Sequence, residues 1–356
     1  MDDAELIYAF GFNAFSQIYS KKACIVNEPV QIEQKDVSTI IGASWATSFA
    51  RTPDEAIYCW GWLEPGVESK PTQLYVSQFG EATTWTSTRT GDRLIAYSLT
   101  AKKLFSMASI RKNADGRCSA ATVEETCLST GVASISCTET DAWICSDDGG
   151  IFSVSLSSFI ISQPFSVGHF ITQVACGNDH TLLLSSHGLS FAFGIGSRGQ
   201  LGLGDSATHT QPQLIEHLGG LDVTSLCAGG WHSLAVTKLG SAYAWGWNVN
   251  GQLGVEEKTA MSCHAPQLVE FIEDVEVTGV SSGSRHTAAV TRSGALYTWG
   301  WNAYGQLGQG KSAADEIRVP TPVCGPWNAA LSVTCGQWST FVRVRLRRKC
   351  IKIKVY

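Results

Sequence analysis

Charge is scarce in this 356-residue chain: Asp, Glu, Lys and Arg together make up 16%, against about 25% in an average soluble domain. So little charge argues against a disordered segment, a coiled coil or a highly charged nucleic-acid tail. No run of 18 apolar residues occurs, which excludes a membrane-spanning helix from the pattern. No CxxC pair occurs, so zinc fingers and thioredoxin-like redox sites lack their spacing. The first residues, Met1-Asp2-Asp3-Ala4-Glu5, are acidic where a secretory signal needs a basic stretch. The 12 cysteines are therefore expected mostly as small buried hydrophobes in a reducing compartment, and the protein as intracellular.

What the chain does contain is glycine, 35 residues, and tryptophan, 12. That composition favours many short strands joined by tight turns. Length alone suggests two domains, unless a repeat makes the chain one unit.

A repeat is present. Three segments align: VACGNDHTLLLSSHGLSFAFGIGSRGQLGLG (174–204), LCAGGWHSLAVTKLGSAYAWGWNVNGQLG (226–254) and VSSGSRHTAAVTRSGALYTWGWNAYGQLGQG (280–310). Their shared histidines, His180, His232 and His286, recur with periods of 52 and 54, and the aromatic-Gly pairs at Phe193, Trp245 and Trp299 keep the same periods. In weaker form the aromatic-(Gly/Ser)-apolar pattern occurs seven times, beginning at Phe10, Trp60, Phe105, Phe152, Phe193, Trp245 and Trp299. The histidine half-unit is placed at Ala46, Asp92, Asp141, His180, His232, His286 and Ser339.

Within one unit, HTAAVT (286–291) and ALYTWGW (295–301) read as strands joined by a turn at 292–294. Gly300, between two tryptophans, suits a strand that another backbone approaches closely. A small antiparallel sheet cannot bury its own two faces, whereas radial stacking hides both. The expected fold is all-β: one seven-bladed propeller over 6–342, degenerate over about 63–160 and clear over 171–342. A basic strand or tail follows at 343–356. The chain starts with a lone second half-unit, FGFNAFSQ (10–17), and ends with a lone first half-unit, VTCGQWSTFV (333–342). The N-terminal strand is therefore expected to pair with the C-terminal half-blade and close the ring.

The unit GxxHT…YxWGWNxxGQLG resembles the regulator of chromosome condensation family of seven-bladed propellers over nearly the whole chain. The single-propeller type is matched best. That resemblance implies a non-enzymatic partner of a JmjC-domain oxygenase, in nucleus and cytoplasm, linked to chromatin, histones and mitosis. The family's best-known activity, guanine-nucleotide exchange on a Ran-like small GTPase, is the competing implication. Direct DNA binding is not expected, because no Lys/Arg block precedes the first strand. The GWRHT motif of the family's plant UV-B photoreceptor is absent; GGWHS (229–233) and GSRHT (283–287) depart from it.

No catalytic residue, cofactor, metal site or small-molecule substrate is expected. His180, His232 and His286 occupy one repeated position, whereas a catalytic group is needed once. They, with Trp245 and Trp299, read as structural, and so do Trp247 and Trp301. The position before the histidine behaves differently: it is Trp45, Asp179, Trp231, Arg285 and Trp338. Such variation fits a partner-binding annulus at one mouth of the propeller, or else packing beneath loops. The run RVRLRRKCIKIKVY (343–356) fits a charged edge strand or tail, or else an import or nucleic-acid patch. Segments 63–73, 111–126, 255–267 and 309–326 read as surface loops, or as insertions used by a partner.

Overall fold

The computed structural model describes residues 5–18, 24–32, 37, 39–44, 46–63, 66–74, 82–88, 91–113, 118–255 and 260–346. Seven strands among these touch neighbour to neighbour in a closed cycle: Thr39–Ala43, Ala82–Ser87, Val132–Cys137, Ile171–Cys176, Val223–Ala228, Val277–Ser282 and Ala329–Cys335. They surround a central channel of about 200 Å³, to which each contributes residues. From each, an antiparallel sheet steps outward, as in Val223–Ala228, His232–Thr237, Ala242–Trp247 and Ser262–Leu268. The architecture is an all-β propeller.

Two units depart from the regular pattern. The sheets of 39–74 and 82–127 join at their outer strands through one parallel pairing, Cys118↔Leu74. The sheet of 132–155 has three strands, with isolated bridges to Ile161 and Phe165 standing in for a fourth.

The ring closes as the orphan half-units require. Strand Glu5–Phe12 pairs antiparallel with Ser339–Arg345, from Glu5↔Arg345 to Gly11↔Ser339, and on its other side with Ile25–Gln31. Ser339–Arg345 is thus an interior strand, held by Ala329–Cys335 on the opposite flank. This corrects the edge-strand reading for 343–345. Val342 and Val344 are buried, and Arg343 reaches Glu5 at 3.6 Å. Residues 347–356 of the basic run lie outside the described residues.

The segments read as loops are strands in part. Gly66–Leu74, Cys118–Cys127, Ser262–Leu268 and Glu316–Pro322 are the outermost strands of their sheets. Their sequences are polar, and all but Cys118–Cys127 carry proline; apart from the Cys118↔Leu74 bridge each is paired on one flank, so no alternation marks them. The second strands show the opposite pattern: His180–Ser185, His232–Thr237 and His286–Thr291 are buried at every residue. The cores lie between adjacent blades. Leu182, Leu184 and Leu201 pack with Leu226, Ala235 and Trp245 of the next blade. Among the 11 described cysteines five are buried, and Cys24, Cys127 and Cys324 are exposed, so burial accounts for fewer of them than composition suggested.

Candidate interaction face

The site begins with the bonding that ties one blade to the next. His232 Nε2 lies 3.0 Å from Thr287 Oγ1 of the following blade, and that hydroxyl donates to the Gln252 carbonyl at 2.7 Å. The Trp299 indole donates to the same carbonyl at 2.9 Å. His180, Ser233, Gln200 and Trp245 repeat the arrangement one blade earlier, and His286, Thr340 and Gln306 one blade later. Each hydroxyl spends its proton on a carbonyl, so it accepts from the imidazole Nε2–H. All three histidines are buried, and burial pushes the His286 imidazole down to about 3. A ring that stays neutral at ordinary pH serves as a fixed donor here.

The same glutamines shape the turns above. The side-chain Oε1 atoms of Gln200, Gln252 and Gln306 accept from the backbone N–H of Arg198, Asn250 and Tyr304 at 2.8–3.0 Å, and Gln17 does the same for Phe15 at 3.0 Å. A buried, repeated residue thereby presents a variable one at the surface.

A second device aims the strand residues. Gly246 sits at φ +99° and Gly300 at φ +105°, each within a register shift of its sheet. A Cβ on Gly300 would lie 2.6 Å from the Arg285 carbonyl oxygen. Without the bulge, Trp245 and Trp247 would share one face of the strand; with it, Trp245 is wholly buried and Trp247 half-buried. Trp299 and Trp301 divide in the same way. Of the two structural roles open to them, core packing and blade-to-blade contact, Trp247 and Trp301 take the second: Trp247 meets Arg285 and Trp301 meets Trp338 of the next blade. The N–H of Trp247 donates to the Trp231 carbonyl at 2.8 Å and that of Trp301 to the Arg285 carbonyl at 2.9 Å, which sets each beside the residue preceding the histidine.

The result is a continuous arc of aromatic and arginine side chains across several blades. Asp179 Oδ2 accepts from the Trp231 indole at 3.0 Å. The Arg198 guanidinium lies 4.4 Å from the Trp231 ring centre and 5.1 Å from that of Trp247. Arg285 lies 4.8 Å from Trp247 and 5.5 Å from Trp301. Trp301 then meets Trp338 at 5.0 Å and Tyr304 at 5.1 Å. From Tyr304 the contacts run through Phe12 and Phe15 to Trp62, which is 49% exposed. Stacked on tryptophan, the two guanidinium groups have no carboxylate partner among the described residues, and Arg285 Nε has no hydrogen-bond partner there. Such caged cations offer donors to an incoming acidic or carbonyl group.

Asp179, Trp231, Arg285 and Trp338 therefore lie in one connected cluster, each half-buried. Trp45 lies outside the described residues. In its blade the strand register puts Thr47 opposite Gly61, where the histidine stands elsewhere, and the Trp62 N–H donates to the Ala46 carbonyl. Ala46, rather than Trp45, is the residue before the repeated position: Ala43 pairs with Ser48 as Ala228 does with Ser233, so the loop has the same length and its tryptophan stands one place earlier in the sequence. Sequence reasoning missed Phe12, Phe15, Trp62, Arg198 and Tyr304. Their signal was present: the residue after each aromatic-Gly pair, and the one two places before each turn glutamine, vary from blade to blade as well.

Among the described residues no group of three or more His, Cys, Asp or Glu could hold a metal ion. No helix among them is long and apolar enough to cross a membrane.

Two family profiles, both for the regulator of chromosome condensation (RCC1) repeat, match the chain. One covers residues 187–236, 240–290 and 293–343, the other 171–200, 223–252 and 277–306. The chain is 34% identical over 226 residues to mouse RCC1 domain-containing protein 1, covering 52% of this chain and 59% of that protein. It is 36% identical over 207 residues to the human protein of the same name, covering 48% and 55%. The match thus spans little more than half the length of these relatives. In structure, Saccharomyces cerevisiae Prp20p superposes with a TM-score of 0.83 at 17% identity, covering 98% of this chain and 93% of that one.

Proposed function

The chain belongs to the regulator of chromosome condensation repeat family, and from that premise we propose that it is a non-enzymatic scaffold that holds a protein partner on the arginine–tryptophan face. The observation that carries this reading is the pair of guanidinium groups of Arg198 and Arg285. They are caged by Trp231, Trp247 and Trp301 and left without a carboxylate partner among the described residues. Tryptophan and arginine dominate binding energy where they occur together at an interface. The partner expected from the family resemblance is a JmjC-domain oxygenase. Through it the protein reaches histones and chromatin, in nucleus and cytoplasm.

The double variant Trp231→Ala with Arg285→Ala tests the reading. Recovery of a JmjC-domain oxygenase by the folded variant should fall about tenfold or more. Unchanged recovery removes the face from the account. The competing reading is guanine-nucleotide exchange. Prp20p has been studied for binding to Gsp1p and histones, but at 17% identity the likeness carries the fold alone. Clear acceleration of nucleotide release from a Ran-like GTPase would replace the scaffold reading.

A further inference from the structure

Trp247 stands between two cations. Its ring centre lies 5.1 Å from the Arg198 guanidinium and 4.8 Å from that of Arg285, so the two charges lie within about 10 Å of one another, the sum of those distances. Like charges this close repel, and neither has a carboxylate partner among the described residues. Asp179, on the same face, accepts from the Trp231 indole instead. Beyond this cationic end the arc is built of rings alone. Trp301, Trp338, Tyr304, Phe12, Phe15 and Trp62 follow one another in contact, each half-buried or exposed.

The rest of the mouth has the opposite sign. The N–H of Thr88 donates to the Arg93 carbonyl and that of Thr138 to the Asp141 carbonyl, as Gly229 donates to His232, so Arg93 and Asp141 take the histidine's place in their blades. Arg93 is neutralised by Glu124 at 2.7 Å. Asp92, which is exposed, and Asp141 thus continue the mouth with carboxylates.

We infer that the segment a protein partner lays on this face is acidic at one end and apolar at the other, an inference that rests on the reading of the face as a partner surface. Two carboxylates meet Arg198 and Arg285, and large apolar side chains beside them lie on the rings toward Trp62. Acidic residues two positions apart in an extended segment, or four apart on a helix, stand about 5–7 Å apart, a spacing that both guanidinium groups can meet. Stacking holds each guanidinium against indole and leaves its terminal N–H groups for carboxylate oxygens. Asp92 and Asp141 repel the same segment, which confines it to the arc. A nucleic-acid strand fits less well, because it carries a charge at every nucleotide and only one end of the arc is cationic.

The test selects short random peptides displayed on phage, once on the whole protein and once on its variant Arg198→Glu with Arg285→Glu. The wild type should return sequences with two acidic residues spaced in this way beside aromatic or leucine-like residues. The variant should return basic residues in their place; if it does not fold, Arg198→Gln with Arg285→Gln replaces it and should lose the acidic sequences. Changing both acids of a selected peptide to their amides should weaken binding, read by fluorescence polarisation, about tenfold or more. Trp338→Ala should weaken it too, with the dependence on the acids kept. Selected sequences without acids, equal recovery on the two proteins, or tighter binding of an oligothymidylate strand overturns the inference. The oxygenase pull-down on the same proteins separates the two readings. Oxygenase lost from Trp231→Ala with Arg285→Ala, while no acidic sequence is selected, overturns this inference alone. Acidic sequences selected, while that variant retains the oxygenase, uphold it and overturn only the assignment of the partner.

Discussion

Substituting Thr287 tests the bonding between blades directly. Its hydroxyl is wholly buried, donates to the Gln252 carbonyl at 2.7 Å and accepts from His232 Nε2 at 3.0 Å. Thr287→Val keeps the side-chain shape and removes both bonds. The Gln252 carbonyl retains the Trp299 indole at 2.9 Å, so it is not orphaned. The His232 Nε2–H, buried with the ring, loses its acceptor. An orphaned buried donor costs about 1–3 kcal/mol and a lost hydrogen bond about 1, partly offset by the added methyl, for a net loss near 2 kcal/mol. Thr287→Ser keeps the hydroxyl and loses one methyl, at about 1 kcal/mol. Urea denaturation followed by tryptophan fluorescence gives both values. The expected order is wild type, serine, valine. Were Thr287 a packing residue, the order of the variants would reverse, and a valine variant as stable as the serine one refutes the reasoning.

Acid should weaken the fold through His286. Its imidazole is held at about 3 against an ordinary 6.5, so below pH 6.5 the unfolded chain takes up a proton that the folded chain refuses. Stability is full above that pH and falls by about 1.4 kcal/mol per unit as pH drops toward 3. Denaturation midpoints at pH 7 and 4.5 should show a smaller drop in His286→Gln. Gly300→Ala should cost about 3 kcal/mol or prevent folding, because the new Cβ lies 2.6 Å from the Arg285 carbonyl at φ +105°; a thermal melt checks it, and a loss under about 1 kcal/mol contradicts it. Deleting Glu5–Phe12 should expose the amides of Ser339–Arg345 to hydrogen exchange, since that strand loses the partner that closes the ring.

The repeat and the ring closure were legible because each rests on residues whose chemistry recurs. Every histidine of the set needs the same hydroxyl in the next blade, and the Glu5–Phe12 strand needs a half-sheet to complete. The outer strands were not legible. Segments such as Ser262–Leu268 and Glu316–Pro322 pair on one flank only and carry prolines, so no alternation marks them. The blade near Trp45 was misread by one residue. Its tryptophan stands one place earlier in a loop of unchanged length, and only the pairing of Thr47 with Gly61 reveals it.

By itself, the sequence determined the fold class, the periodicity and the side chains that bind blade to blade. Those features repeat, and repetition is visible in one dimension. It also marked the variable position before the histidine, to which Asp179, Trp231, Arg285 and Trp338 belong. Only the tertiary structure decided that this position meets two other variable ones. Residues as distant as Arg198 and Trp247, or Phe12 and Tyr304, become neighbours because a positive-φ glycine turns each strand residue outward and a buried glutamine fixes each turn beside it.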